Sequence, residues 1–291
     1  MTIKILTDST CYIPKNLLTE YNIDVVSLGI VFKNESFQET EITNSFFYSK
    51  LSNSKTLPTS SQPPINDIKS IFERNAKAGI STVAIFISSK MSGTYSTANM
   101  AKAMVLEKIP NAKIEIIDSL SNSLQLGFAV LAAAKEAKAN GSLKDVVNAA
   151  KQNIIRSKFI FIPDNLEYLR KGGRIGAASS LIGSIMRIKP ILTVREGTVK
   201  VLDKVRTKKR AVKSLVSIFL QDIKQFGLGD IKVHHIECEE EAKDLAKVIE
   251  DMIKLPVSIA SIGPVIGTHV GPGAIGLVYY TKKPLINELK N

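Results

Sequence analysis

The sequence predicts an α/β protein in two domains, an N-terminal parallel-sheet α/β domain over 1–160 and a C-terminal α+β domain over 161–291. In the first half, short apolar runs rich in β-branched residues alternate with helical stretches, which is the pattern of βαβ units and a parallel sheet. In the second half, the runs Ile191–Val194 and Val199–Leu202 flank Glu196-Gly197, a hairpin signal set among helices. The length of 291 residues suits one large or two ordinary domains. The boundary is placed near residue 160, with short segments free to cross between the domains.

Taken in order, Ile3–Leu6 is a strand, followed by a Ser/Thr turn and a helical stretch over Pro14–Tyr21. Val25–Val31 is a second strand. Asp67–Lys77 reads as a helix, Thr82–Ile87 as a strand, Ser96–Glu107 as a helix and Lys113–Ile117 as a strand. Ser123–Ala139 is a long alanine-rich helix closed by Asn140-Gly141. The polar segments Asn34–Gln38 and Lys55–Pro64 are excursions from this alternation. Past Asp164 a helical stretch runs to Leu169, and after a glycine break another runs to about Arg187. The hairpin follows, then a helix over Thr207–Gln225, a strand over Ile231–Glu237 and a helix over Glu239–Lys254. The strands Val257–Ile262 and Ala274–Tyr280 close the chain.

Composition narrows the function. A hydrophobic share of 44% with 23% charged residues is that of a globular protein. No segment has the ~18 uninterrupted apolar residues of a membrane span, and MTIKILTD enters a strand without a signal-peptide pattern. Cys11 and Cys238 fit no metal or redox spacing. The expectation is a cytoplasmic protein with reduced thiols, no metal and no cofactor. The net charge of +12 favours acidic partners or surfaces and peaks at Lys204–Arg210 and Arg170–Arg174. With no Trp and 6% aromatic residues there is little to stack on bases, so nucleic acid is not an expected partner.

Val83–Met100 holds the most specific chemistry. A buried-strand pattern breaks at Ser88-Ser89, and Ser92-Gly93-Thr94 opens a helix. Free N–H groups and hydroxyls gathered at a helix start suit an anion, although Ser and Thr are also ordinary caps. Thr7-Asp8-Ser9 and Asp118-Ser119 end two further strands at what would be the same rim, where open parallel sheets bind ligands. Both aspartates equally suit capping the loops that shape that rim. Pro58–Pro64 is a proline-stiffened hydroxyl loop. Gly263–Gly276 carries His269 among glycines that permit close backbone approach. There is no Gly-x-Ser-x-Gly, no Gly-x-Gly-x-x-Gly and no Walker loop. Hydroxyls and one histidine without a nucleophile–base–acid set point to holding an anion without transforming it. A Ser/His-dependent acyl hydrolase or transferase using Ser92 and His269 is the alternative.

These pieces in this order resemble the DegV family. The match is carried by Thr7–Thr10 with Pro14, Thr59–Pro63, Met91–Tyr95, Asp118-Ser119 with Gly127, Leu166–Ile175, Lys189–Leu192 and Gly267–Gly273. The resemblance implies a DegV-like fold of two α/β-type domains with a long-chain fatty acid buried between them. It implies a carboxylate bound by Ser92, Ser60 and His269, with Ser61, Gly93, Thr94, Gly267 and Thr268 as the supporting loops. The family commonly has threonine where this chain has Ser60. The resemblance further implies a non-catalytic lipid-carrier subunit that presents the acid to a fatty acid kinase subunit for acyl-phosphate formation. Arg170, Arg174 and Arg206 would be the partner-facing residues. Transient contact with an anionic membrane surface or an acyltransferase would follow. Ser180–Ile188 is a candidate lining for the acyl tail.

Overall fold

Apolar strands that leave no polar face must be covered on both sides, and the first half of the chain meets that demand with a parallel sheet. The computed structural model describes residues 2–182 and 188–285. In chain order the first elements are β1 (Ile3–Asp8), α1 (Lys15–Glu20), β2 (Asp24–Val26), β3 (Gly29–Val31), β4 (Ser36–Gln38) and α2 (Asn44–Ser52). There follow β5 (Thr59–Ser61), α3 (Ile65–Lys77), β6 (Ser81–Phe86), α4 (Thr94–Lys108), β7 (Ile114–Asp118), α5 (Ser123–Lys138) and α6 (Leu143–Ile154). The parallel sheet has the order β2-β1-β6-β7. Every residue of β6 is buried. Alternation sends Leu6, Ala84 and Phe86 to one face, where they pack with Ile68 and Phe72 of α3 and Ala98, Ala101 and Val105 of α4. Helices α5 and α6 cover the opposite face. Gly127 of α5 lies so close to the turn after β1 that a Cβ would stand 2.5 Å from the Cys11 carbonyl. A small sheet of order β4-β3-β5 completes this unit.

The expected strand Val25–Val31 is two strands in two sheets, for a local reason. The Leu28 N–H donates to the Ser9 hydroxyl at 3.1 Å, so at that point a side chain replaces the ladder. Helix α6 follows a reciprocal capping box at Ser142 and Asp145, a local signal outside the periodic pattern above: the Asp145 N–H donates to Ser142 Oγ and the Ser142 N–H to Asp145 Oδ2. Helix α2 is a further helix outside that pattern, and Thr43 caps it by accepting from the Phe46 N–H.

The second unit holds β8 (Ser157–Ile162), α7 (Glu167–Lys171), β9 (Lys189–Arg195), β10 (Thr198–Val205), α8 (Lys208–Phe226), β11 (Leu228–His235), α9 (Glu239–Ile253), β12 (Ser258–Ser261), α10 (Pro264–Val270) and β13 (Ile275–Thr281). Its six-stranded sheet has the order β10-β9-β8-β13-β11-β12 and is antiparallel except for the pair β11–β12. The β9–β10 turn is Glu196-Gly197, both at positive φ, as a two-residue hairpin requires. Helices α8 and α9 bury one face over Ile160, Ile162, Val233, Ile275 and Leu277. Within that core the Lys158 ammonium and the Tyr279 hydroxyl both donate to the Asp222 carboxylate, so the buried charge is paired.

The chain passes from one unit to the other at Ile154/Ile155, and Thr43–Thr59 belongs to the second unit. The reason for the crossing is specific. The Tyr48 hydroxyl donates to the Ile262 carbonyl at 2.9 Å, and the Asn44 amide donates to Ser261 Oγ at 3.0 Å, which ties α2 to the β12–α10 connection. Over Gly176–Leu181, within the stretch where a helix is expected, the chain forms a 3-10 helix instead. Gly176 sits at φ +54, with a would-be Cβ 2.4 Å from the Val199 carbonyl, so the segment hugs the hairpin rather than coiling freely. Of Ser180–Ile188, residues 183–187 lie outside the described residues.

Asp8 joins two strand ends of the parallel sheet. Its Oδ2 accepts from the Ile87 N–H at 2.7 Å, and its Oδ1 accepts from the Thr10 N–H and hydroxyl at 3.0 and 2.5 Å. Burial raises its pKa from 3.8 to about 6, against the pull of those donors. A folded-state pKa above the unfolded one means that protonation favours the fold. That contribution is complete below 3.8 and is lost as pH rises through about 6. In Asp8→Asn the titration is gone. In urea unfolding, wild-type stability relative to this variant should therefore fall by up to about 3 kcal/mol between pH ~4 and ~7. A gap that stays constant with pH would show that Asp8 is ionised throughout.

Candidate functional site

In the first unit the candidate residues cluster at the carboxyl ends of β6 and β7. Behind β6 the chain turns tightly, with the Met91 and Ser92 N–H groups donating to the Ser88 carbonyl at 2.9 and 3.1 Å. The turn is held from the side by Asp118, whose carboxylate accepts from the Ser89 N–H at 3.2 Å and the Leu120 N–H at 2.9 Å. Asp8 and Asp118 are thus loop clamps, with their oxygens occupied by backbone donors. Ser92 is half-buried. Its Oγ lies 2.9 Å from the Thr94 hydroxyl and accepts from the Thr94 N–H at 3.3 Å. Ser92 thus precedes the N-cap residue Gly93, and its hydroxyl accepts from the first N–H of α4, one of the first-turn groups that have no intrahelical acceptor.

Residues Ser60 to Pro63 are tied to the same helix start. The Gln62 amide donates to Thr97 Oγ1 at 2.5 Å and in doing so crosses Gly93, where a Cβ would meet Gln62 Oε1 at 1.8 Å. On the other side Ser61 lies against Gly29 of β3, at 2.4 Å from its would-be Cβ. The two hydroxyl motifs are therefore one structure, and a side chain at position 93 would have to displace the Gln62 amide that links them. Ser60 is half-buried and Ser61 exposed, as alternation along β5 demands. Gln62 carries the link between the motifs and was not singled out from sequence. Its partner Thr97 lies in the first turns of the neighbouring helix, and that adjacency is a tertiary fact.

His269 belongs to the second unit. The glycine density of Gly263–Gly276 is the pattern of a loop, in which glycines permit close backbone approach. Here the structure differs, because residues Pro264–Val270 are a helix with Pro at its start and His269 in its last turn. The glycines serve packing. Gly267 admits the Tyr48 hydroxyl, 2.2 Å from its would-be Cβ, and Gly271 at φ +81 admits the Tyr168 ring. Thr268 is buried, and its hydroxyl donates back to the Pro264 carbonyl at 2.9 Å, so it stiffens the turn. Tyr48 and Gly172 escape a sequence reading for the same reason, since each acts on a residue far along the chain. Gly172, in the Arg170–Arg174 segment, packs directly on the imidazole, with a would-be Cβ 2.3 Å from His269 Nδ1.

Burial, reinforced by the nearby Arg174 guanidinium, pushes the His269 pKa down to about 4. The imidazole is thus neutral near pH 7 and can donate a hydrogen bond without being a cation. Arg174 is half-buried and donates to the Gly172 carbonyl at 2.6 Å, which fixes the glycine turn beside the histidine. Arg170 and Arg206 are exposed. No cluster of three or more metal-binding side chains occurs among the described residues. Among them, too, no helix is long and apolar enough to cross a membrane.

Two substitutions test this account of His269. At Gly172 φ is −76, so alanine is tolerated by the backbone and its effect falls on the ring. Gly172→Ala should displace the imidazole toward solvent and raise its pKa from about 4 toward 6.5, read by NMR titration of the ring. Arg174→Gln removes a like charge and should raise the same pKa by a smaller amount. A pKa unmoved by both would mean that neither packing nor charge sets it.

Comparison with known proteins places these motifs in context. The family model described as "Uncharacterised protein, DegV family" matches residues 2–282. A DegV domain-containing protein of Clostridium acetobutylicum is 53% identical over 283 residues, covering 97% of this chain and 99% of its own. Among solved structures, DegV of Bacillus subtilis, described as a fatty acid binding protein, superposes with a TM-score of 0.87 at 32% identity. That match covers 97% of this chain and 100% of the other. A fatty acid binding DegV family protein of Streptococcus agalactiae gives a TM-score of 0.88 at 28% identity, with the same coverage. With the family model spanning nearly the whole sequence, the chain belongs to the DegV family.

Proposed function

We propose that this protein binds a long-chain fatty acid and acts as its carrier, with the carboxylate taken by the hydroxyls of Ser92 and Ser60 and by the imidazole of His269. The observation that carries this reading is the family relationship. The B. subtilis and S. agalactiae relatives, described as fatty acid binding, match 97% of this chain. The local chemistry supports it. Hydroxyls and N–H groups at a helix start suit an anion, and a neutral imidazole adds a donor without the desolvation cost of a buried cation. Burying about fourteen methylenes at roughly 0.8 kcal/mol each supplies about 11 kcal/mol before costs. A carboxylate at a helix N-terminus adds about 1–2 kcal/mol. The tail thus supplies affinity, while the polar groups set orientation.

Orientation matters if the acid is presented to a kinase subunit, because phosphoryl transfer depends on placing the attacking oxygen. In this reading Arg170, Arg174 and Arg206 face that subunit. The net charge of +12 favours brief contact with anionic lipid or a membrane acyltransferase. Ser92 Oγ bonds to Thr94 rather than to a general base, which favours retention of the acid over hydrolysis.

Mass spectrometry of an organic extract of the purified protein should find a long-chain acid in stoichiometric amount. Ser92→Ala and His269→Ala should each weaken fatty-acid binding about tenfold or more, the scale of one hydrogen bond to a charged group. Arg170→Ala should leave that affinity unchanged while slowing phosphorylation by the kinase subunit. Repeated failure to load any acid defeats the reading. So does turnover of acyl esters that Ser92→Ala abolishes, which would establish the hydrolase instead.

A further inference from the structure

Among the described residues, two helices, α8 and α9, form the layer over this face of the six-stranded sheet, which is one fewer than its width accommodates. Six strands at ~4.8 Å spacing set the outer strands about 24 Å apart, whereas helices pack 8–10 Å from one another. Here α8 lies over β8, β9, β10 and β13, and α9 over β11 and β12. Between them runs a groove of ≈ 870 Å³ floored by Ile275 of β13. Its walls are two apolar stripes at helical spacing, Val212, Val216 and Leu220 on α8 and Leu245, Val248 and Met252 on α9. Val248 is 45% exposed and Met252 54%, so the stripe on α9 continues outward into solvent.

Charge is distributed unequally along the two walls. The α8 wall carries Lys209, Lys213 and Lys224, all exposed and, among the described residues, without an acidic partner. The α9 wall carries Glu241 and Asp244. Lys208 and Glu241 form an ion pair at 2.7 Å that staples the two helix starts together. A flat anionic membrane fits poorly, because the surface is concave and one wall is acidic. A second copy offers the same concavity rather than a ridge. An acyl chain laid in so open a trough would keep one side in water.

We propose that the α8–α9 groove receives an amphipathic helix of a protein partner, with an apolar stripe flanked by Asp or Glu on the side facing α8. The occupant completes the helical layer over the sheet. Its anchors at i, i+3, i+4 and i+7 enter between the two stripes, and its carboxylates meet Lys209, Lys213 and Lys224. The proposal is independent of fatty-acid binding, which uses other residues.

The test is fluorescence anisotropy with a labelled helical peptide of about 15 residues, roughly 22 Å and so the length of α9. It carries leucines at the anchor spacing and glutamates along one flank. A twin peptide has lysines in place of the glutamates. The acidic peptide should bind saturably, at least about tenfold tighter than its twin, and should weaken about tenfold or more with Val248→Glu, with Met252→Glu and with Lys213→Glu. Val248 and Met252 are exposed, so the variants should melt as the wild type does and load fatty acid equally. Equal binding of the two peptides overturns the proposal, as does acidic-peptide binding indifferent to both Val248→Glu and Met252→Glu. Val248-dependent flotation with phosphatidylglycerol vesicles, or a Val248-dependent dimer in light scattering, overturns it in favour of a membrane or a second copy.

Discussion

Parallel strands end in loops, and each loop brings backbone N–H groups that no ladder satisfies. In the first unit those groups are collected by two carboxylates. Asp8 accepts from Thr10 and Ile87, and Asp118 accepts from Ser89 and Leu120. A buried carboxylate is costly, and the elevated pKa of Asp8 records that cost. In return, the ends of β1, β6 and β7 are fixed relative to one another, and the turn that presents Ser92 is built on them. Without that fixing, the hydroxyl motifs would sit on loops free to choose other conformations.

The second unit solves a related problem with glycine instead of charge. The short helix bearing His269 is wedged against Tyr48, Tyr168 and the Gly172 turn, and three glycines remove the side chains that would hold these elements apart. The result is a histidine buried enough to stay neutral near pH 7, next to an arginine that reinforces this state. In both units the groups proposed to touch ligand are ordinary residues. What makes them usable is the rigidity of their surroundings, which lowers the ordering cost of binding.

Much of this was legible in the sequence. The alternation of apolar runs and helices predicts the parallel sheet, and Glu196-Gly197 predicts the hairpin, because turn chemistry and periodicity are local. The short elements were harder. Helix α6 had its capping box in plain view at Ser142 and Asp145, while the split of β2 from β3 depends on Ser9, far back in the chain. The helical state of residues 264–270 was hidden by glycines that a local reading assigns to a loop.

By itself the sequence determined the fold class, the rim motifs and the family, since each is written in short stretches whose chemistry is self-contained. Tertiary structure alone decided which residues lock those stretches in place. Gln62 crosses Gly93 to reach Thr97, Gly172 touches His269, and α2 joins the second unit through Tyr48. The groove that the described residues leave between α8 and α9 is also a tertiary fact. It follows from how many strands two helices must cover, a quantity no single segment of the sequence contains.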